Sequence, residues 1–282
     1  VNFSNKYSLI TVVGIFIMFI NKASPSKIKA YDECKKKYKF KYIDYLKDIY
    51  NENSNTDALQ FGSYIHRILE LGYNASSVEE LQEIARDCRD NYSFPKSRDK
   101  GVEKILKNFL KFNSQLHEHV SSELAFEIEM KDEYKLNGII DRIVKGKTGK
   151  YLVIDYKTSK RAATSTDLYK DPQLIMYAYA VSKMYNVPLD DITVSHYYPH
   201  MDKLVSLKYG KTQIGQFLTV LNKKIWEIRK KKKTEFKASQ NMFCNWCQYK
   251  ELCPEFGGTQ KMLEEALSKE KTKRAQSKIT KG

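Results

Sequence analysis

The stretch from Leu136 to Thr158 constrains this chain most, because it reads as two apolar strands interrupted by charges that a buried sheet face should reject. In the second strand Tyr151, Val153, Asp155 and Lys157 share one face, while Leu152, Ile154 and Tyr156 occupy the other, since side chains alternate with period two. Asp155 and Lys157 therefore stand about 7 Å apart and point the same way. In the preceding strand Asp141 shares its face with Ile139 and Ile143. Ionised groups on such faces are costly unless they are paired or bound to a cation. Carboxylate and carbonyl oxygens suit Mg²⁺ or Mn²⁺, and a lysine beside them suits charge developing on a phosphate. A single D-x-K on a strand is more often an internal salt bridge, so its neighbours have to decide.

Those neighbours describe an α/β chain. Ser24-Pro25-Ser26 opens a first helix that carries Cys34, and helical periodicity returns at Ala58–Tyr73, Val78–Tyr92 and Val102–His119. The period then changes to two at Leu124, Phe126, Ile128 and Met130. Strands over Leu136–Val144 and Tyr151–Thr158 follow as a β-meander, turning at Gly146–Gly149. Asp171-Pro172 caps a helix to about Tyr185. Strands at Ile192–Tyr198 and Leu204–Tyr209 and a helix over Thr212–Lys230 complete the pattern. A mixed central sheet flanked by helices is expected, with the cysteine-bearing ends packed onto it.

The 282 residues, 41% of them apolar, suffice for one large domain or two small ones. The apolar run Leu9–Ile20 is too short for the roughly twenty residues of a membrane span. Only Lys6 precedes it and no A-x-A site follows, so a secretory leader is not expected either. Met18 offers an alternative start that would make residues 1–17 an extension, and residues 1–20 are set aside from the fold; no membrane partner is expected. Lys and Arg number 49 against 34 Asp and Glu, a net +15, which favours a polyanionic partner such as nucleic acid. The surplus gathers at Arg229–Lys233 and in residues 258–282, expected to form a basic flexible tail. Runs of this kind also serve as solvated faces, and charge alone says nothing of catalysis.

Five cysteines in a chain this long do not make a secreted disulfide framework. Cys244, Cys247 and Cys253 fall within ten residues, and a fourth ligand must come from elsewhere. Cys88 lies on the amphipathic stripe Leu81, Ile84, Ala85 and is explained by burial, whereas Cys34 sits in a lysine-rich setting that packing does not explain. Spacing alone leaves zinc and an iron-sulfur cluster open.

Gly138-Ile139-Ile140-Asp141-Arg142, a hairpin, Ile154-Asp155-Tyr156-Lys157, and then Gln173 and Tyr177 occur in that order, with Phe61-Gly62-Ser63-Tyr64-Ile65-His66 upstream. This order resembles the PD-(D/E)XK nucleases of the RecB group, with their upstream His, isolated Asp, [D/E]-x-K and Q-x-x-x-Y. The resemblance implies a restriction-endonuclease-like core over residues 21–257. It implies that His66, Asp141, Asp155 and the Tyr156 carbonyl bind Mg²⁺ or Mn²⁺, that Asp141, Asp155 and Lys157 are catalytic, and that Gln173 and Tyr177 orient the lysine or the DNA. Taken alone, His66 reads as a packed histidine, and Tyr177 belongs to the core stripe Leu174, Ala178, Val181, Tyr185. Glu127 shares a face with Glu123 and Glu129 and reads as solvated. The AddB and CRISPR-associated relatives carry one cysteine before the core and three after it. That implies a 4Fe-4S cluster on Cys34, Cys244, Cys247 and Cys253, joining the N- and C-terminal elements as a staple.

The expected function is a Mg²⁺- or Mn²⁺-dependent DNA exonuclease acting on single strands or duplex ends in recombination, repair or phage DNA metabolism. Its expected place is the cytoplasm of a bacterial, archaeal or phage-infected cell. Two alternatives stand beside it: a non-catalytic nucleic-acid-binding module, and a subunit active only with a helicase or CRISPR adaptation partner. The sequence contains no G-x-x-x-x-G-K-[ST] phosphate loop, so this stretch carries no motor of that type.

Overall fold

A computed structural model describes residues 11–12, 15–16, 21–46, 57–131 and 133–279. Apart from the paired strands Thr11–Val12 (β1) and Ile15–Phe16 (β2), the apolar run and Met18 lie outside the described residues. The chain then forms β3 (Lys22–Ala23), α1 (Pro25–Glu33), α2 (Lys35–Tyr38), α3 (Asp57–Leu71), α4 (Val78–Arg89), α5 (Val102–Asn113), β4 (Glu118–Met130), β5 (Tyr134–Lys145) and β6 (Tyr151–Tyr156). It continues through α6 (Ser165–Tyr169), α7 (Pro172–Met184), β7 (Ile192–Tyr198), β8 (Lys203–Leu207), α8 (Lys211–Lys230) and α9 (Gln260–Ile279). Two compact units result: residues 56–221, and residues 1–55 with 222–282. Among the described residues no helix is long and apolar enough to cross a membrane.

In the unit of residues 56–221 the strands run in the order β4-β5-β6-β7-β8. All neighbours are antiparallel except β6 and β7, which are parallel and are linked through α6 and α7. The sheet is therefore mixed, as the periodicity predicts. Phe61, Tyr64, Ile65, Ile68 and Leu69 of α3 recur at helical spacing and are buried with Ile105, Leu106 and Phe109 of α5 against Ile154 and Tyr156. Cys88 lies in this same core. Helix α7 starts where Asp171 caps the Gln173 N–H ahead of the strand-facing residues Leu174, Tyr177, Ala178 and Val181, all buried.

Two boundaries differ from the sequence reading. The helix expected to reach His119 stops at Asn113, and residues from Glu118 join β4, because β5 is long enough to pair Glu118 with Lys145. Ladder pairing outweighs the local helical pattern there. The strand expected to run to Thr158 ends at Tyr156, although the Lys157 N–H still donates to the Tyr197 carbonyl at 2.9 Å.

In the other unit Phe40, Leu46, Tyr249, Leu252, Leu263 and Ala266 form a small core of their own. The expected flexible tail is instead the helix α9. Its Leu263 and Ala266 supply the apolar face that orders it, and Glu270, 3% exposed, pairs with Arg274 one turn on. The segment bearing the last three cysteines is a series of single 3₁₀ turns. It folds back tightly enough that a Cβ on Gly258 would meet the Leu252 backbone at 2.2 Å.

Candidate active site

The carboxylates, the lysine, His66, Gln173 and Tyr177 expected from the sequence all line one cleft of about 670 Å³. It opens at the ends of β5 and β6 beside α3 and the start of α7. Asp141, 8% exposed, accepts the Tyr156 N–H at 2.8 Å through Oδ2, and that oxygen lies 3.4 Å from His66 Nδ1. The Tyr156 backbone carbonyl in turn meets the His66 ring. Ligand atoms of His66, Glu123 and Asp141 lie within 4.8 Å of one another. Burial first, and then the charge of Asp155, push the Asp141 carboxyl well above the usual carboxylate range. Burial draws the His66 imidazole below its ordinary value, favouring the neutral ring that a metal binds.

Asp155 stands on the same face one strand over. Its Oδ2 lies 2.5 Å from Lys157 Nζ, a close and buried ion pair. Burial acts against the Lys157 ammonium, but Asp155 outweighs it and the pKa is raised, so the lysine is charged. Lys157 also donates to Gln173 Oε1 at 3.1 Å, Gln173 Nε2 donates to the Tyr177 hydroxyl at 2.7 Å, and that hydroxyl donates to the Ile139 carbonyl. The Q-x-x-x-Y pair thus fixes the lysine by a chain of hydrogen bonds anchored in β5. Gly138 makes the anchor possible: a Cβ there would meet the Phe126 ring at 2.8 Å, and that ring packs edge-on against Tyr177.

A buried carboxylate that meets the cleft lysine, a second carboxylate raised by burial and by that neighbour, a glutamate and a neutral histidine form an oxygen-rich donor set that fits a divalent cation.

Sequence reasoning missed two residues here. Glu123 lies between the paired positions Ser122–Arg142 and Leu124–Ile140, and so beside Asp141. Its backbone is left-handed, φ 47°. Counting the register back from the β4–β5 turn would have placed it opposite Asp141. The other is His196, directly across from Asp155 in the parallel register and 4% exposed. Glu127 does take the solvated role expected of it, paired at 2.6 Å with Lys135.

The remaining cysteines meet in the other unit. Cys34, at the end of α1, and Cys244, Cys247 and Cys253 line one pocket, and all are free thiols. Backbone amides point at three of them: Asn241 N–H reaches Cys244 Sγ at 3.3 Å, and the Tyr249 and Glu255 amides serve Cys247 and Cys253. Burial raises the Cys247 and Cys253 thiols, and those amides oppose it. Such N–H donors stabilise sulfur carrying negative charge, so the donor set fits a thiolate-bound metal centre.

Comparison with known proteins agrees with this geometry. Over 202 residues, 64% of this chain, the sequence is 25% identical to a subunit of the ATP-dependent helicase/deoxyribonuclease of Streptococcus agalactiae serotype V. It is 25% identical over 184 residues, 59% of this chain, to the corresponding subunit of the Streptococcus mutans enzyme. The chain spans 18% and 17% of the length of these relatives. A crystal structure from Eubacterium rectale, of a protein provisionally described as an exonuclease, superposes with a TM-score of 0.51 at 14% identity, covering 81% of this chain and 88% of that one. This likeness is one of fold. A model of the PD-(D/E)XK nuclease superfamily matches residues 22–254, and the chain belongs to that superfamily.

Proposed function

We propose that this chain is a Mg²⁺- or Mn²⁺-dependent deoxyribonuclease that trims DNA exonucleolytically from single strands or duplex ends. The observation that carries the reading is the convergence of His66, Glu123, Asp141 and Asp155 on one cleft with a charged lysine held by Gln173. His66, Asp141, Asp155 and the Tyr156 carbonyl would hold the cation, with Glu123 as a further oxygen donor. When bound, the cation supplies a Lewis acid for the phosphodiester and a water of lowered pKa. Lys157 offers its ammonium to charge developing on the phosphate, and Gln173 and Tyr177 keep that ammonium aimed into the cleft. Burial and the charge of Asp155 raise the Asp141 carboxyl, and a bound cation would relieve both carboxylates.

Cys34, Cys244, Cys247 and Cys253 would hold a 4Fe-4S cluster. One cysteine before the core and three after it suit such a cluster, and the amides directed at Cys244, Cys247 and Cys253 suit its thiolates. Free cysteines fit a reducing cytoplasm.

The test is degradation of end-labelled single-stranded DNA by anaerobically purified protein with Mg²⁺ or Mn²⁺, beside Asp155→Asn and Lys157→Ala. Cleavage by wild type alone supports the reading, and the product ladder gives the polarity; an inert, folded, metal-loaded wild type overturns it. Iron and acid-labile sulfide in the purified protein support the cluster, and stoichiometric zinc overturns it. A second reading, a nuclease that works with a separate helicase, is favoured by the helicase/deoxyribonuclease relatives, of which this chain spans 18%. Cleavage that appears only when a helicase is added would select it.

A further inference from the structure

His196 is a buried ionisable side chain beside the cleft that the reading above leaves unused. Its Nδ1 lies 3.3 Å from the Tyr198 hydroxyl, and the oxygen of that hydroxyl accepts the Ala163 N–H at 2.9 Å. The Tyr198 hydroxyl can give its hydrogen to Nδ1, and acceptors on the other side of the ring favour the ring proton on Nε2. Nε2 faces two carboxylates, Asp171 Oδ2 at 3.3 Å and Asp155 Oδ2 at 3.7 Å. Asp171 is within hydrogen-bond reach and Asp155 just beyond it, so the imidazole stands between two carboxylates. The contacts close into a ring. Asp171 Oδ1 accepts the Gln173 N–H at 2.8 Å, Gln173 accepts from Lys157 at 3.1 Å, and Lys157 meets Asp155 at 2.5 Å. Five side chains from the end of β6, from β7 and from the start of α7 therefore meet in a ring that one imidazole completes.

We propose that His196 is a positioning residue of the metal cleft, standing between Asp171 and Asp155 so that the two carboxylates are screened from each other and keep their places around Lys157 and the cation site. The proposal rests on the metal-nuclease reading above. Without the imidazole, Asp155 and Asp171 face each other with no donor between them, and their repulsion displaces Asp155 from where it would meet a cation. Asp171 also loses its partner, which loosens the first turn of α7 that carries Gln173. A group that orients a metal ligand from behind is typically worth about 10- to 100-fold in metal affinity. His196 is buried, so DNA does not reach it.

The experiment is Mn²⁺ titration of the full chain, followed by the electron paramagnetic resonance of free Mn²⁺. Wild type is compared with His196→Leu, His196→Gln and Tyr198→Phe, each with its thermal melt, and kcat and KM for DNA are measured in parallel. The expected result is Mn²⁺ affinity about 10- to 100-fold weaker in His196→Leu, with kcat reduced and KM for DNA unchanged. His196→Gln, whose side-chain amide can donate from the Nε2 position, is expected to recover most of the affinity. Tyr198→Phe, which frees the ring proton to move to Nδ1, is expected to fall between them. Wild-type Mn²⁺ affinity in His196→Leu overturns the proposal. So do losses in His196→Gln equal to those in His196→Leu that track melting temperature, which would make the role one of packing. A wild type that takes up no Mn²⁺ overturns the metal-nuclease reading and the proposal with it, and is distinguished by the failure of the unmutated chain.

Discussion

The cleft and the thiol pocket hold their candidate ligands by different means. In the cleft each polar group is carried by a regular element and held by side-chain partners. Asp141 lies in β5, Asp155 in β6, His66 in α3 and Gln173 in α7, and the hydrogen bonds from Lys157 through Gln173 and Tyr177 end on the Ile139 carbonyl. The thiols instead sit on single 3₁₀ turns and at a helix end, held by backbone amides over a small core. A site built on sheet and helix keeps its geometry without ligand, because packing of the whole unit supports it. A site built on short turns buries little surface locally, so the bond to its ligand has to contribute to the fold.

The sharpest test of this contrast separates activity from stability. Asp155→Asn is expected to lower DNA cleavage by about 10³-fold or more. Its melting temperature should stay within a few degrees of wild type, since the isosteric amide preserves the packing. A large fall in melting temperature would show that the cleft, too, depends on its charges for folding.

Cys253→Ala should do the reverse. Loss of the cluster is expected to cost about 3 kcal/mol or more, on the order of 10 °C in melting temperature, with loss of bound iron. Cys88→Ala is the control, since that thiol lies in the core of the other unit. It is expected to cost about 1 kcal/mol and to leave the iron content unchanged. Equal iron loss in both variants would remove the distinction.

A smaller effect is expected for Tyr177→Phe. It leaves the Ile139 carbonyl without its donor and Gln173 without its acceptor, for about 1–3 kcal/mol of stability and roughly a tenfold loss of turnover through a less constrained lysine. Turnover equal to wild type would show that Gln173 holds Lys157 unaided. The smallest effect belongs to Glu127→Ala. Its exposed pairing with Lys135 predicts a stability change below about 0.5 kcal/mol and unaltered cleavage, whereas Glu123→Ala should weaken Mn²⁺ binding. Equal behaviour of the two glutamates would mean that the register opposite Asp141 does not bring Glu123 to the metal.

Much of this was legible in the chain alone. Period-two alternation put Asp155 and Lys157 on one strand face and Asp141 on another apolar row, and the structure has them lining the same cleft. The spacing of Gln173 and Tyr177 put them on one helix face, where they are hydrogen-bonded to each other. Periodicity reports which residues share a face of one element, and that is a local property of the backbone. What local pattern cannot report is which elements become neighbours or where a ladder departs from regularity. Parallel pairing of β6 with β7, formed across α6 and α7, brought His196 against Asp155. The register of β4 on β5 set Glu123 opposite Asp141. Long-range pairing extended β4 where a helix was expected, and burial of Leu263 and Ala266 ordered a segment whose composition reads as a flexible tail. Each of these was decided by contacts between residues far apart in sequence, whose energies no window along the chain contains.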